Sequence, residues 1–141
     1  MSSAGTASGP QDPLAVPAEH VPAMPRFVIL DHDWPHPHRD LLLERDGVLK
    51  AWRLPPAFDP TSPVPAELNS DHRTHYLDYE GPVSGDRGSV RRWDAGGLVW
   101  ETISAGEVVV QLEGVHLRGR FRLVRVGDGW QLKQHEEGTA S

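Results

Sequence analysis

The sequence contains no cysteine, which excludes disulfides and thiolate metal ligands and leaves no sign of a redox compartment. No stretch is apolar over the roughly 18 to 20 residues that a bilayer span requires, and no basic-then-apolar leader opens the chain. A soluble, cytoplasmic protein without a membrane partner is the expectation. Positive charge is in deficit: the formal net charge is -6. That argues against a broad coat on nucleic acid, which takes a basic face able to release counterions. Long helices are disfavoured too. Thirteen prolines and fourteen glycines among 141 residues, with 38% hydrophobic, favour many short strands and turns in one domain.

What the sequence does have is concentrated at residues 31–44, Asp-His-Asp-Trp-Pro-His-Pro-His-Arg-Asp-Leu-Leu-Leu-Glu. Imidazoles at His32, His36 and His38 and a carboxylate at Asp40 precede an apolar run, which is the composition of a metal site on a rigid element. If a strand begins near His38, then His38 and Asp40 share a face about 7 Å apart along the chain, within reach of one cation. His32 and His36 would then come in from the preceding loop, which two prolines make stiff and non-helical. Nitrogen plus carboxylate ligands suit Mn, Zn or Fe(II) better than Ca or Mg. A His-rich solvated loop is the plainer alternative. A second cluster at His72, His75 and Tyr76 tips the reading toward a metal-dependent phosphoester site.

Along the chain, residues 1–24 lack apolar periodicity and read as a flexible tail, followed by a barrel domain over 25–135 and a short flexible tail over 136–141. Phe27–Leu30 suits a buried strand, and Asp46-Gly47 between two apolar runs signals a hairpin. Five prolines make 55–65 a loop. His72 and Tyr76 fall on one side of either a helical turn or a strand. Strands are predicted at Ser89–Trp93, Leu98–Ile103, Glu107–Leu112, Leu117–Val126 and Trp130–Lys133, with turns at 94–97, 104–106 and 127–129. About eight short strands with little helix predict a compact, closed or nearly closed antiparallel β-barrel. Trp52, Trp93, Trp100 and Trp130 then read as core or rim residues. Arg118, Arg120 and Arg122 would share a strand face, and a solvated surface is the simpler reading of it.

From Phe27 through Lys133 the chain resembles the 3'-phosphoesterase domain found at the N-terminus of bacterial ATP-dependent DNA ligase D and as stand-alone proteins. The resemblance is carried by His32-Asp33, by His38-Arg39-Asp40-Leu41-Leu42-Leu43-Glu44, and by Asp46-Gly47-Val48-Leu49-Lys50-Ala51-Trp52. Further blocks are Asp71-His72 with Tyr76, Tyr79-Glu80-Gly81, Val90 to Gly96, and Leu112-Glu113-Gly114 with Leu117 to Arg120, all in the family's order. It implies a β-barrel that binds Mn, Zn or another divalent transition metal and acts on DNA 3' ends, removing a 3' ribonucleotide and then a 3' phosphate. The implied metal ligands are His32, His38 and Asp40, with His72 and Tyr76 at the scissile phosphate and His36 outside the ligand set. Ligase or other end-joining proteins are the implied partners.

The chain also departs from the family pattern. Leu42 stands where the family has a phosphate-clamping Arg, Pro56 where it has a Lys, and Val64 or a neighbour where it has a further basic residue. The turn at 81–88 is also shorter than the family's. A lost charge-assisted contact of about 3 kcal/mol would slow phosphoryl transfer on the order of a hundredfold. Arg53 or Arg73 could replace the absent clamp, each lying beside a family site position. The alternative is a catalytically degenerate barrel that serves as a DNA-repair binding or assembly module, or one that acts on another phosphoester.

Overall fold

A computed structural model describes residues 24–135. Its strands are β1 (Arg26–His32), β2 (His38–Arg45), β3 (Val48–Leu54), β4 (Val64–Arg73), β5 (Gly81–Pro82), β6 (Ser89–Ile103), β7 (Glu107–Glu113), β8 (Arg118–Val126) and β9 (Gly129–Gln134), with one 3-10 turn at Thr74–Leu77. All pairings are antiparallel, in the order β1-β2-β3-β4-β9-β8-β7-β6-β5, and β1 also pairs with β6. Eight strands therefore form a closed all-β barrel, and β5 adds a two-residue pairing to β6. The predicted tails fall outside the described residues, apart from Met24. Among the described residues no helix is long and apolar enough to cross a membrane.

The local causes are legible. Asp46 and Gly47 both take positive φ (+53° and +83°), as a two-residue hairpin of the right twist requires, so β2 folds straight back on β3. Strands β1 and β2 are apolar on both faces because both are covered. Phe27, Ile29, Leu41 and Leu43 point into the barrel, where Trp52 and Trp130 meet edge to face at 5.7 Å. The alternate residues Val28, Leu30 and Leu42 point outward and are roofed by Leu77, Val83 and Val90. At about 1.5–3 kcal/mol for each fully buried Leu or Phe, both layers matter to stability.

Three boundaries differ from the sequence-based expectation. Residues 94–97 are not a turn, since β6 runs unbroken through them with irregular registers near Leu30 and Trp100. Gly96 allows close approach of β7: a Cβ there would collide with the Glu113 carbonyl oxygen, whereas one at Gly97 would meet open space. Pro65 belongs to β4, opposite Gln131 of β9, so the proline-rich loop ends at residue 63. His72 ends its run in a strand and Tyr76 lies in the 3-10 turn, so neither the all-helical nor the all-strand geometry holds. Trp93 and Trp100 are also core or rim residues: Trp93 stacks on His116 at 4.2 Å, and the Trp100 indole donates to the Glu44 carbonyl at 2.9 Å. The basic stripe is matched by acids, with Arg118, Arg120 and Arg122 facing Glu113, Glu101 and Glu107.

Asp94 was not singled out by its sequence context. It is 3% exposed, and its carboxylate accepts the backbone N–H of Val115 (2.8 Å), His116 (3.1 Å) and Leu117 (2.8 Å). It thereby holds the β7–β8 connection, and Gly114 has no Cβ because one would press on that carboxylate and on Phe27. Asp94→Ala leaves these donors unmatched and should destabilise the barrel by about 3 kcal/mol in urea unfolding. A loss below about 0.5 kcal/mol would show that the carboxylate is dispensable.

Candidate metal centre

The reversal between β1 and β2 places His32 directly opposite His38, and Leu30 opposite Asp40. With side chains alternating along each strand, His32, His38 and Asp40 all emerge on the outer face, at the end of the layer formed by Val28, Leu30 and Leu42. His32 thus belongs to strand β1, not to the preceding loop. The expectation of a loop-borne ligand fails because β1 pairs with β2 and β6 through its last residue. His36 is exposed, and its imidazole is not part of the cluster.

One nitrogen of His32, one of His38 and a carboxylate oxygen of Asp40 lie within 4.8 Å of one another. His32 Nδ1 is 3.1 Å from Asp40 Oδ2, and His38 Nε2 is 3.0 Å from Asp40 Oδ1. The other nitrogen of each ring faces a carbonyl: His38 Nδ1 donates to that of His36 at 2.9 Å, and His32 Nε2 donates to that of Arg87 at 2.9 Å. A carbonyl only accepts, so those nitrogens carry the protons and the inward ones present lone pairs whenever the rings are neutral. Lone pairs and a carboxylate repel, so either a proton or a cation must sit among them. His38 Nε2 is buried and makes no hydrogen bond despite its closeness to Asp40. An orphaned nitrogen in a two-imidazole, one-carboxylate set is what a divalent transition metal fits.

The electrostatics agree. Burial disfavours charge on His38, but the Asp40 carboxylate and the His36 carbonyl outweigh it and raise the imidazole pKa. Burial likewise opposes ionisation of Asp40, yet the two imidazoles hold its carboxyl below the usual carboxylate range. Asp33, which follows His32, does something else: it accepts the Ser89 backbone N–H at 2.9 Å and ties the β1–β2 loop to β6.

A cavity of about 320 Å³ adjoins the cluster. His32 and Asp40 share its lining with His72 and Tyr76 from the second sequence cluster, and with Arg53 and Arg73. His72 Nδ1 donates to the Ser70 carbonyl at 2.9 Å, leaving Nε2 as its other ring nitrogen, and its ring meets Tyr76 edge-on at 5.8 Å. Arg53 is the cross-strand neighbour of Asp40, and its buried Nε has no partner. Leu42 is fully buried in the outer layer and Val64 in the barrel interior, while Pro56 is exposed, so none of the three brings charge. Arg87 also lines the cavity, and no motif in the sequence marks it.

Comparison with known proteins gives one consistent family. A family model described as the DNA Ligase D 3'-phosphoesterase domain matches residues 30–125. The multifunctional non-homologous end joining protein LigD of Mycobacterium bovis is 39% identical over 114 residues, covering 74% of this chain and 15% of that protein. The multifunctional non-homologous end joining protein LigD of Pseudomonas aeruginosa is 32% identical over 132 residues, covering 82% of this chain and 16% of that protein. The chain thus spans less than a fifth of the length of these curated relatives.

Two outcomes are expected for metal binding followed by calorimetry. His38→Ala and Asp40→Asn should weaken Mn(II) or Zn(II) at least on the order of a hundredfold, while His36→Ala, which keeps the carbonyl, should change it less than about twofold. Because a raised His38 pKa holds the competing proton to higher pH, affinity should begin to fall above the ordinary imidazole range. It should then drop about tenfold per unit of further acidification. Equal affinity in wild type and His38→Ala would remove His38 from the site.

Proposed function

The chain belongs to the DNA ligase D 3'-phosphoesterase domain family, and from that premise we propose that it is a metal-dependent phosphoesterase of DNA 3' ends. It would remove a 3' phosphate or a terminal 3' ribonucleotide and leave a 3' hydroxyl for a ligase during end joining. The observation that carries this reading is a single cavity whose lining includes His32, Asp40, His72, Tyr76 and Arg53.

His32, His38 and Asp40 would hold Mn, Zn or another divalent transition metal, which when bound supplies Lewis-acid polarisation of a phosphoryl oxygen and a more acidic water. The protein's own groups do the rest. With Nδ1–H engaged by the Ser70 carbonyl, His72 has Nε2 left for substrate. Protonated there, it donates to a phosphoryl oxygen, or to the 3' oxygen as the phosphorus–oxygen bond breaks. The Tyr76 hydroxyl donates to the same oxygen. Arg53 supplies the guanidinium that Leu42 does not: its Nε is buried and unmatched, and an anionic phosphate oxygen would match it. Arg73 is exposed, so solvent and salt weaken its contribution. A non-catalytic repair-binding or assembly module is favoured by the net charge of -6 and by the missing cations at Leu42, Pro56 and Val64 or a neighbour, and Arg53 beside Asp40 answers the first of those losses.

The test is manganese-dependent release of phosphate from a DNA strand that ends in a 3' phosphate. Wild type should turn over, and His38→Ala should lose at least on the order of a hundredfold. Arg53→Ala should lower kcat/KM on the order of a hundredfold and Arg73→Ala less than about tenfold. Indistinguishable rates for wild type and His38→Ala would end the proposal.

A further inference from the structure

Four of the five tryptophans have partners within the fold. Trp52 and Trp130 pack together, Trp93 stacks on His116 beneath the Arg39 guanidinium, and Trp100 bonds a carbonyl. Trp34 is different. It is 42% exposed and lines the same cavity as Arg53, His72 and Tyr76. Among the described residues, nothing forms a ring contact or hydrogen bond with its indole.

Nor is Trp34 carried on an untethered loop tip. The preceding residue is fastened to β6 twice, by Asp33 N–H to the Ser89 carbonyl at 3.4 Å and by Ser89 N–H to the Asp33 carboxylate at 2.9 Å. Its own Cβ lies against Gly88, at φ +75°, where any Cβ would collide with Trp34 and with the Asp33 carboxylate. A large apolar ring is thus held open to solvent on a tethered backbone, at the lip of a polar cavity. Other apolar side chains, such as Leu68 and Val115, are more exposed, so what points to a ligand surface is the placement of this ring in the lining of the cavity beside Arg53, His72 and Tyr76.

We propose that Trp34 is the base-binding wall of this cavity, on which the last nucleoside of a bound strand stacks while its phosphate lies toward Arg53 and His72. The inference rests on the reading of the cavity as a 3'-end site. A volume of about 320 Å³ is at the lower end of ligand sites and suits one nucleotide, not a stretch of duplex. Stacking accepts every base because each has a π face, so the end would be taken without regard to its sequence.

Binding of labelled oligonucleotides to metal-free full-length protein, followed by fluorescence anisotropy, tests this. One oligonucleotide ends in an ordinary nucleoside 3' phosphate, the other in an abasic 3' phosphate. Trp34→Ala should bind the first about tenfold more weakly and the second unchanged, and Trp34→Phe should restore the first to within about threefold of wild type. Equal behaviour of Trp34→Ala toward both ends, whether unchanged or equally weakened, overturns the proposal. If wild type releases no phosphate yet the base-dependent contrast holds, the hydrolytic reading fails and the stacking wall stands. Normal turnover with no contrast sinks the wall alone.

Discussion

The pairing of β1 with β2 is the constraint on which the rest depends. His32 opposite His38 and Leu30 opposite Asp40 put three polar groups at the end of an otherwise apolar strand face. A slip of β2 by one residue would send His38 and Asp40 into the barrel interior, away from His32 and among Phe27 and Ile29. That alternative buries a carboxylate and an imidazole in the core, so the polar pair at the end of β2 defends the register where two apolar faces could not. The Asp46-Gly47 turn fixes the far end of β2, and the Asp33–Ser89 contacts fix the end near the histidines.

Covering both faces of the same hairpin explains where the chemistry sits. The barrel interior is packed with side chains such as Phe27, Leu41, Trp52 and Phe121. The outer layer is closed by Leu77 and Val83, which come from the segment between β4 and β6, and that segment also carries Tyr76. The roof over the second apolar layer and one wall of the cavity are therefore one piece of chain. His72 arrives with it because β4 runs to Arg73 beside β3, with an irregular register between Leu49 and Ala51. Folding of the outer layer and assembly of the cavity are in this way a single event.

Much of this was legible in the sequence. The strand period placed His38 and Asp40 on one face, Asp-Gly marked the hairpin, and the many prolines and glycines disfavoured long helices. The residues that misled did so for physical reasons. Gly96 and Gly97 look like turn residues, but closeness of β7 is what excludes a Cβ at Gly96. His36 looks equal to its neighbours, but only its backbone carbonyl is used, and no side-chain pattern reports that. Asp94, Arg87 and Trp34 could not be found from spacing: the partners of Asp94 lie in the distant β7–β8 connection, and among the described residues the Arg87 side chain bonds only nearby Ser84 and reaches the cavity through the placement of its turn, while Trp34 has no ring or hydrogen-bond partner. The proposed replacement of the charge missing at Leu42 by Arg53 needs the β2–β3 register, which puts Arg53 beside Asp40 on the same outward face.

The central claim is that a cation held by the β1–β2 histidines and a phosphate held by the β3–β4 side share one cavity. Phosphorus NMR of a nucleoside 3'-monophosphate, recorded with the protein and Mn(II), tests it most directly. The account predicts strong paramagnetic broadening of the bound phosphate signal in wild type and its disappearance in Asp40→Asn. Broadening of the same size in both proteins would contradict it, because the metal would then not be held at Asp40.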